Sequence, residues 1–103
     1  MERAAKIISK YYRLRYSDGI RKVVEGLPIK NLEETQVGNF VYSGVGEILV
    51  GSSHFPATVR IRLEAGVPTV SVTAPGAGIS VACPFDAEAI RRAVKEAILA
   101  TMN

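Results

Sequence analysis

The hydrophobic and polar positions of this chain change period twice. Across residues 2–16 they recur at helical spacing. At about 100° per residue, Ala4, Ile7, Ile8, Tyr11 and Leu14 share one arc. Arg3, Lys6, Lys10 and Arg13 fall on a second arc, and Tyr12 and Tyr16 lie together on a third edge. This predicts an amphipathic helix. Ser17 or Asp18 can cap a second helix over 18–26, with Ile20, Val23, Val24 and Leu27 as its apolar positions. Gly26 and Pro28 stop it. The next stretch, PIKNLEETQVGN (28–39), has no decisive period and fits a loop, a short strand or a helical turn.

From Phe40 the period becomes two. Phe40, Tyr42, Gly44, Gly46, Ile48 and Val50 form one face of a strand over 40–50. Gly44 and Gly46 leave backbone open to close approach by a helix or a ligand. A tight turn at SSH (52–54) returns the chain into a strand over 56–64, where Ala57, Val59, Ile61 and Leu63 alternate with Thr58, Arg60, Arg62 and Glu64. A two-residue turn at Ala65-Gly66 leads into a strand over 68–74 and sets Ile61 opposite Val70 and Val59 opposite Val72. The turn PGAG (75–78) then pairs Val72 with Val81 and Val70 with Cys83 in a strand over 79–83. One register satisfies all three strands. In FDAEAIRRAVKEAILATM the period returns to helical: Asp86 caps a helix over 86–102, Phe85 staples against Ile90, and Ile90, Val94, Ala97 and Ile98 face inward.

These elements predict an α+β fold in one domain spanning 1–103: N-terminal helices, a four-stranded antiparallel β-meander, and a C-terminal helix packed on the sheet. The opposite sheet face would carry Thr58, Arg60, Arg62, Thr69, Ser71, Thr73 and Ser80, with Glu47 or Glu64 as the acids beside the arginines.

A chain of 103 residues with 48% hydrophobic content supports a core without staples. Its one cysteine excludes an internal disulfide. No apolar run reaches bilayer-spanning length and the N-terminus has no signal-peptide core, so the expectation is a soluble cytoplasmic protein that does not meet a membrane. Asn, Gln, Met and Cys total only seven residues, a scarcity of thermolabile types that leans toward a thermophile.

Charge changes the picture more. Residues 1–30 hold eight Lys/Arg against three acids, whereas residues 31–103 hold five against seven. Positive charge gathered at one end points to an anionic partner.

Candidate chemistry is sparse. One histidine and one cysteine do not make a metal site, so neither a metal nor a cofactor is expected. Cys83 lies in the apolar phase of a strand and His54 in a turn, which reads as packing rather than as a nucleophile and its base. SGVGEILVG (43–51) lacks the GK[ST] ending and following helix of a phosphate loop. With no paired-carboxylate or Ser-His-Asp pattern, an enzyme is not expected and no catalytic residue is assigned.

Nucleic-acid binding is the function with a mechanism. Lys6, Lys10, Arg13, Arg15, Arg60 and Arg62 are candidates to contact phosphates. Tyr12, Tyr16, Tyr42 and Phe55 are candidates to stack on bases. Tyr11 and Phe40 lie on apolar arcs and read as core. Without a helix-turn-helix, zinc-finger or RRM-type motif, exposed aromatics favour single-stranded DNA or RNA, read with low sequence specificity. The competing reading is a non-enzymatic interaction module that docks on a partner or a second copy of itself, motivated by ILATM in the last helix and by open strand edges.

The basic, tyrosine-bearing segment KIISKYYRLRY, the FVY segment at 40–42 and the order of helices, sheet and helix resemble the ThermoDBP-related single-stranded-DNA-binding proteins of thermophilic archaea. The resemblance spans most of the chain in plan. It implies a strand held in a cleft between helices and sheet by basic and aromatic side chains. The leucine zipper that follows in the founding type has no counterpart in these 103 residues.

Overall fold

The computed structural model describes residues 17–35 and 40–102. The helix expected over 2–16 lies outside them, and with it Lys6, Lys10, Tyr12, Arg13, Arg15 and Tyr16. Seven regular elements follow in order: α1 (Ser17–Gly26), β1 (Lys30–Glu34), β2 (Tyr42–Val50), β3 (Ser53–Glu64), β4 (Val67–Ala74), β5 (Ile79–Pro84) and α2 (Ala87–Met102). The strands form one antiparallel sheet in the order β1-β2-β3-β4-β5. The α+β class and the antiparallel meander are as the alternation predicts; the sheet has five strands instead of four.

The registers follow the apolar phase. Ile61 faces Val70 and Val59 faces Val72 across β3 and β4. Val72 faces Val81 and Val70 faces Cys83 across β4 and β5. At the β3–β4 turn Ala65 has φ 51° and Gly66 φ 79°, the two positive values that match a hairpin turn to strand twist. The β2–β3 turn differs from expectation. It is Gly51-Ser52, with Val50 opposite Ser53, so His54 belongs to β3 and not to a turn. Gly51 at φ 63° supplies the left-handed residue one position earlier than SSH would.

The fifth strand is β1, drawn from the ambiguous 28–39 stretch. Lys30 faces Glu47 and Glu33 faces Val45, so three steps along β1 match two along β2. Asn31, at φ 55°, takes up the extra residue, a conformation Asn tolerates better than most. Gly46 makes room for it: a Cβ there would sit 2.8 Å from the Lys30 carbonyl oxygen and 3.1 Å from Leu32 Cα. At Gly44 a Cβ would meet the Tyr42 hydroxyl at 2.7 Å. The close approach that both glycines permit is therefore filled by the chain itself.

Both described helices pack on the sheet's apolar face. Ile20, Val23 and Leu27 of α1 and Ile90 and Val94 of α2 join Ile48, Val59, Ile61, Val70 and Val72 of the strands in one buried cluster. Each such aliphatic side chain contributes about 1.5–3 kcal/mol on burial. Asp86 starts α2: its Oδ1 accepts the Glu88 and Ala89 N–H groups at 2.9 and 3.1 Å. Phe85, just before it, lays its ring against Gly19 of α1, where a Cβ would come within 2.9 Å of Cε1. That contact ties the two helices together and orients the layer that leaves the other sheet face to its polar side chains.

Candidate nucleic-acid interface

Strand geometry puts every second residue on the face away from the helices. Across β3, β4 and β5 this aligns Thr58, Thr73 and Ser80 in one row and Arg60, Ser71 and Ala82 in the next. Arg62 stands opposite Thr69. The expected hydroxyl-rich face with two arginines is present, and both described helices lie on the other side.

The two arginines differ in their partners. Arg62 forms an ion pair with Glu64, both side chains half exposed. Such a surface pair contributes little to stability. Glu47 is engaged with His54, whose Nδ1 lies 3.5 Å from its Oε2. Among the described residues no acid pairs with Arg60. Its guanidinium carbon instead stands 5.0 Å from the centroid of the Phe40 ring. A cation over a ring at this distance gains about 0.5–1 kcal/mol at an exposed site. The contact also holds the guanidinium, with its planar set of N–H donors, at the open face.

Phe40 reaches Arg60 because the alternation breaks at the start of β2. Tyr42 is the residue opposite Ile61, yet the Val41 N–H also donates to the Ile61 carbonyl, at 2.8 Å. Two residues thus face one, as in a β-bulge, and the side-chain phase slips. Val41 is buried, and Phe40 meets the arginine side instead of the core that alternation assigns it. Nearby, Thr35 holds the end of β1 to β2. Its N–H donates to the Ser43 carbonyl at 2.7 Å, and the two hydroxyls lie 3.0 Å apart. Ser43 is buried and stands opposite Arg60.

Two of the assigned stacking rings are elsewhere. Tyr42 is 7% exposed and belongs to the core, over Gly44. It has no free face for a base. Phe55 stands opposite Ile48 on the helix-covered side, half-buried, and is packed against the 3-10 turn Pro75–Ala77: a Cβ at Gly76 would lie 3.1 Å from its Cδ1. The aromatic that sequence reasoning missed is Phe40. The signal was FVY itself, three large side chains in a row where alternation demands a polar one.

Cys83 and His54 are not brought together. Cys83 lies on the helix side, its Sγ 4.0 Å from the Ala89 carbonyl, while His54 is on the open face. They cannot act as nucleophile and base on one another. Among the described residues no three His, Cys, Asp or Glu side chains form a group that could hold a metal. No described helix is long and apolar enough to cross a membrane.

The open face is balanced in charge, with Lys30, Arg60 and Arg62 against Glu33, Glu47 and Glu64. Over residues 17–103 the chain carries eight Lys/Arg and nine Asp/Glu; residues 1–16 carry five Lys/Arg and one acid. The whole positive surplus therefore resides in the first sixteen residues.

Fold and face define an α+β protein: a five-stranded antiparallel meander with helices on one side and an arginine- and hydroxyl-bearing surface on the other. No protein-family model matches the chain, nor does any curated protein or solved structure.

Proposed function

We propose that this protein binds single-stranded nucleic acid with low sequence specificity. The observation that carries the reading is Arg60, without an acidic partner among the described residues and 5.0 Å from the centroid of the Phe40 ring, on a sheet face rich in hydroxyls. Phosphates are attracted by the basic surplus of residues 1–16, chiefly Lys6, Lys10, Arg13 and Arg15, and by Arg62 on the sheet. Bases stack on the Arg60–Phe40 pair and on Tyr12 and Tyr16. Thr58, Thr69 and Thr73 donate hydrogen bonds to phosphate or sugar oxygens, contacts that position a strand without reading it, while the Ser71 hydroxyl donates to the Arg60 carbonyl at 3.4 Å. Among the described residues no set of donors and acceptors converges on one base edge, which favours low specificity. The plan-level resemblance to the ThermoDBP-related proteins supports the same reading and favours DNA.

The test is fluorescence anisotropy with a labelled mixed-sequence oligonucleotide over a series of salt concentrations. Each phosphate contact on a single strand contributes about −0.7 to the slope of log K against log salt. Four or five such contacts give a slope of about −3 to −3.5. Affinity indifferent to salt would refute the electrostatic part of the mechanism.

A further inference from the structure

The two edges of the sheet are unlike each other. β1 is a guarded edge: it is short, bulged at Asn31, and carries Lys30, Glu33 and Glu34. Charges and bulges of this kind keep an edge strand from pairing with another chain. β5, the other edge, reads ISVACP and has no charged residue and no bulge; its six residues pair one-to-one with Thr69 to Ala74 of β4.

The direction of the β5 amides follows from one hydrogen bond. The Phe85 N–H donates to the Pro68 carbonyl at 3.1 Å. In an antiparallel ladder, residues whose backbone groups point at the partner strand alternate with residues whose groups point away. Cys83, Val81 and Ile79 therefore bond to β4. The N–H groups of Ser80 and Ala82 and the carbonyls of Ser80, Ala82 and Pro84 point to the free edge. Pro84 fits this phase, since its nitrogen has no hydrogen to donate. Both Ser80 and Ala82 are exposed, and among the described residues no strand lies beside them.

We infer that this edge pairs with the β5 edge of a second copy of the chain, antiparallel and about a two-fold axis near Val81 and Ala82. An antiparallel strand is complementary to itself in backbone donors and acceptors, so a two-fold contact satisfies the Ser80 and Ala82 N–H groups of both copies at once. About an axis at Val81, Val81 meets its own counterpart and Ser80 meets Ala82 of the second copy. β5 brings only serine, alanine and valine to the contact, with no charge to desolvate. The result is a continuous ten-stranded sheet with its arginine-bearing faces on one side.

Sedimentation equilibrium on the full chain tests the inference, with amide hydrogen exchange to locate the contact. The wild-type protein sediments with the mass of two chains at high concentration, and the exchange of the Ser80 and Ala82 amides slows as concentration rises. Ala82→Pro removes an edge donor that β4 does not use, and Ala82→Lys sets two like charges across the axis; both sediment as one chain. Lys30→Glu on the opposite edge leaves the two-chain mass unchanged. Circular dichroism establishes that each variant is folded, and Ala82→Lys decides the question if the proline variant is not. A wild-type mass of one chain at every concentration would overturn the inference. So would a two-chain mass retained by folded Ala82→Lys, or Ser80 and Ala82 amides that exchange freely in the dimer, since each would seat the partner elsewhere.

Discussion

Gly46→Ala is the substitution that most sharply probes the fifth strand. The added methyl would lie 2.7 Å from Ile29 Cγ2, 2.8 Å from the Lys30 carbonyl oxygen and 3.1 Å from Leu32 Cα. The first contact is with the end of a side chain and can yield. The other two are backbone, so β1 itself must move. Overpacking of this sort costs about 1–3 kcal/mol. The ceiling is set by letting β1 go: Ile29 and Leu32 are half-buried against the core, and losing half the burial of two aliphatic side chains forfeits about 1.5–3 kcal/mol. Strained and detached states thus have similar energies, and the expected loss is about 2–3 kcal/mol. For a domain of this size that lowers Tm by about 8–24 °C. Gly51→Ala is the control. Nothing lies within 4 Å of its Cβ position, and its φ of 63° costs a non-glycine residue only about 1–2 kcal/mol. Thermal and urea unfolding followed by far-UV circular dichroism read both. A Gly46→Ala protein no less stable than Gly51→Ala would refute the packing of β1 over Gly46, and with it the fifth strand.

Other outcomes are simpler. Asp86→Ala removes the acceptor for two α2 amides and lowers stability by about 1 kcal/mol in urea unfolding, whereas Asp86→Asn or Asp86→Ser loses little of it. Ile90→Ala, at a site with no exposed surface, costs about 2–5 kcal/mol in the same assay. On the open face, Phe40→Ala weakens oligonucleotide binding by roughly 5- to 150-fold, the loss of about 1–3 kcal/mol of stacking. Arg60→Lys keeps the charge and loses the planar group; affinity falls in anisotropy titrations while the salt slope stays within one contact of wild type.

The elements that could be read from the sequence are those whose local chemistry and long-range pairing agree. β3, β4 and β5 share one register because Ile61, Val70 and Cys83 are in phase through two short turns, and a slip of one residue would turn every apolar side chain to water. α2 carries its own start signal at Asp86. β1 could not be read, since KNLEE has neither alternation nor β-branched residues. It is a strand because Gly46, more than ten residues away, admits it. The arginine face was legible from ATVRIRLE, but its aromatic was not. Alternation already put Tyr42 on the face of Ile48, but the bulge at Val41 moved Phe40 off that face, and a period-two reading has no means of registering a two-against-one pairing. His54 fell in β3 instead of the turn because Gly51, ahead of the serines, supplied the positive φ. The basic surplus of residues 1–16 is a property of the sequence itself and needs no fold to be seen.

The reading of this molecule as a binder of unpaired strands is tested most directly by measuring its affinity, at one low salt concentration, for a labelled oligonucleotide before and after annealing to its complement. Exposed bases are what the Arg60–Phe40 pair and the tyrosines of the N-terminal segment can engage, so the single strand binds more tightly and annealing releases it. Equal or tighter binding to the duplex, or no binding to the single strand, would contradict the account.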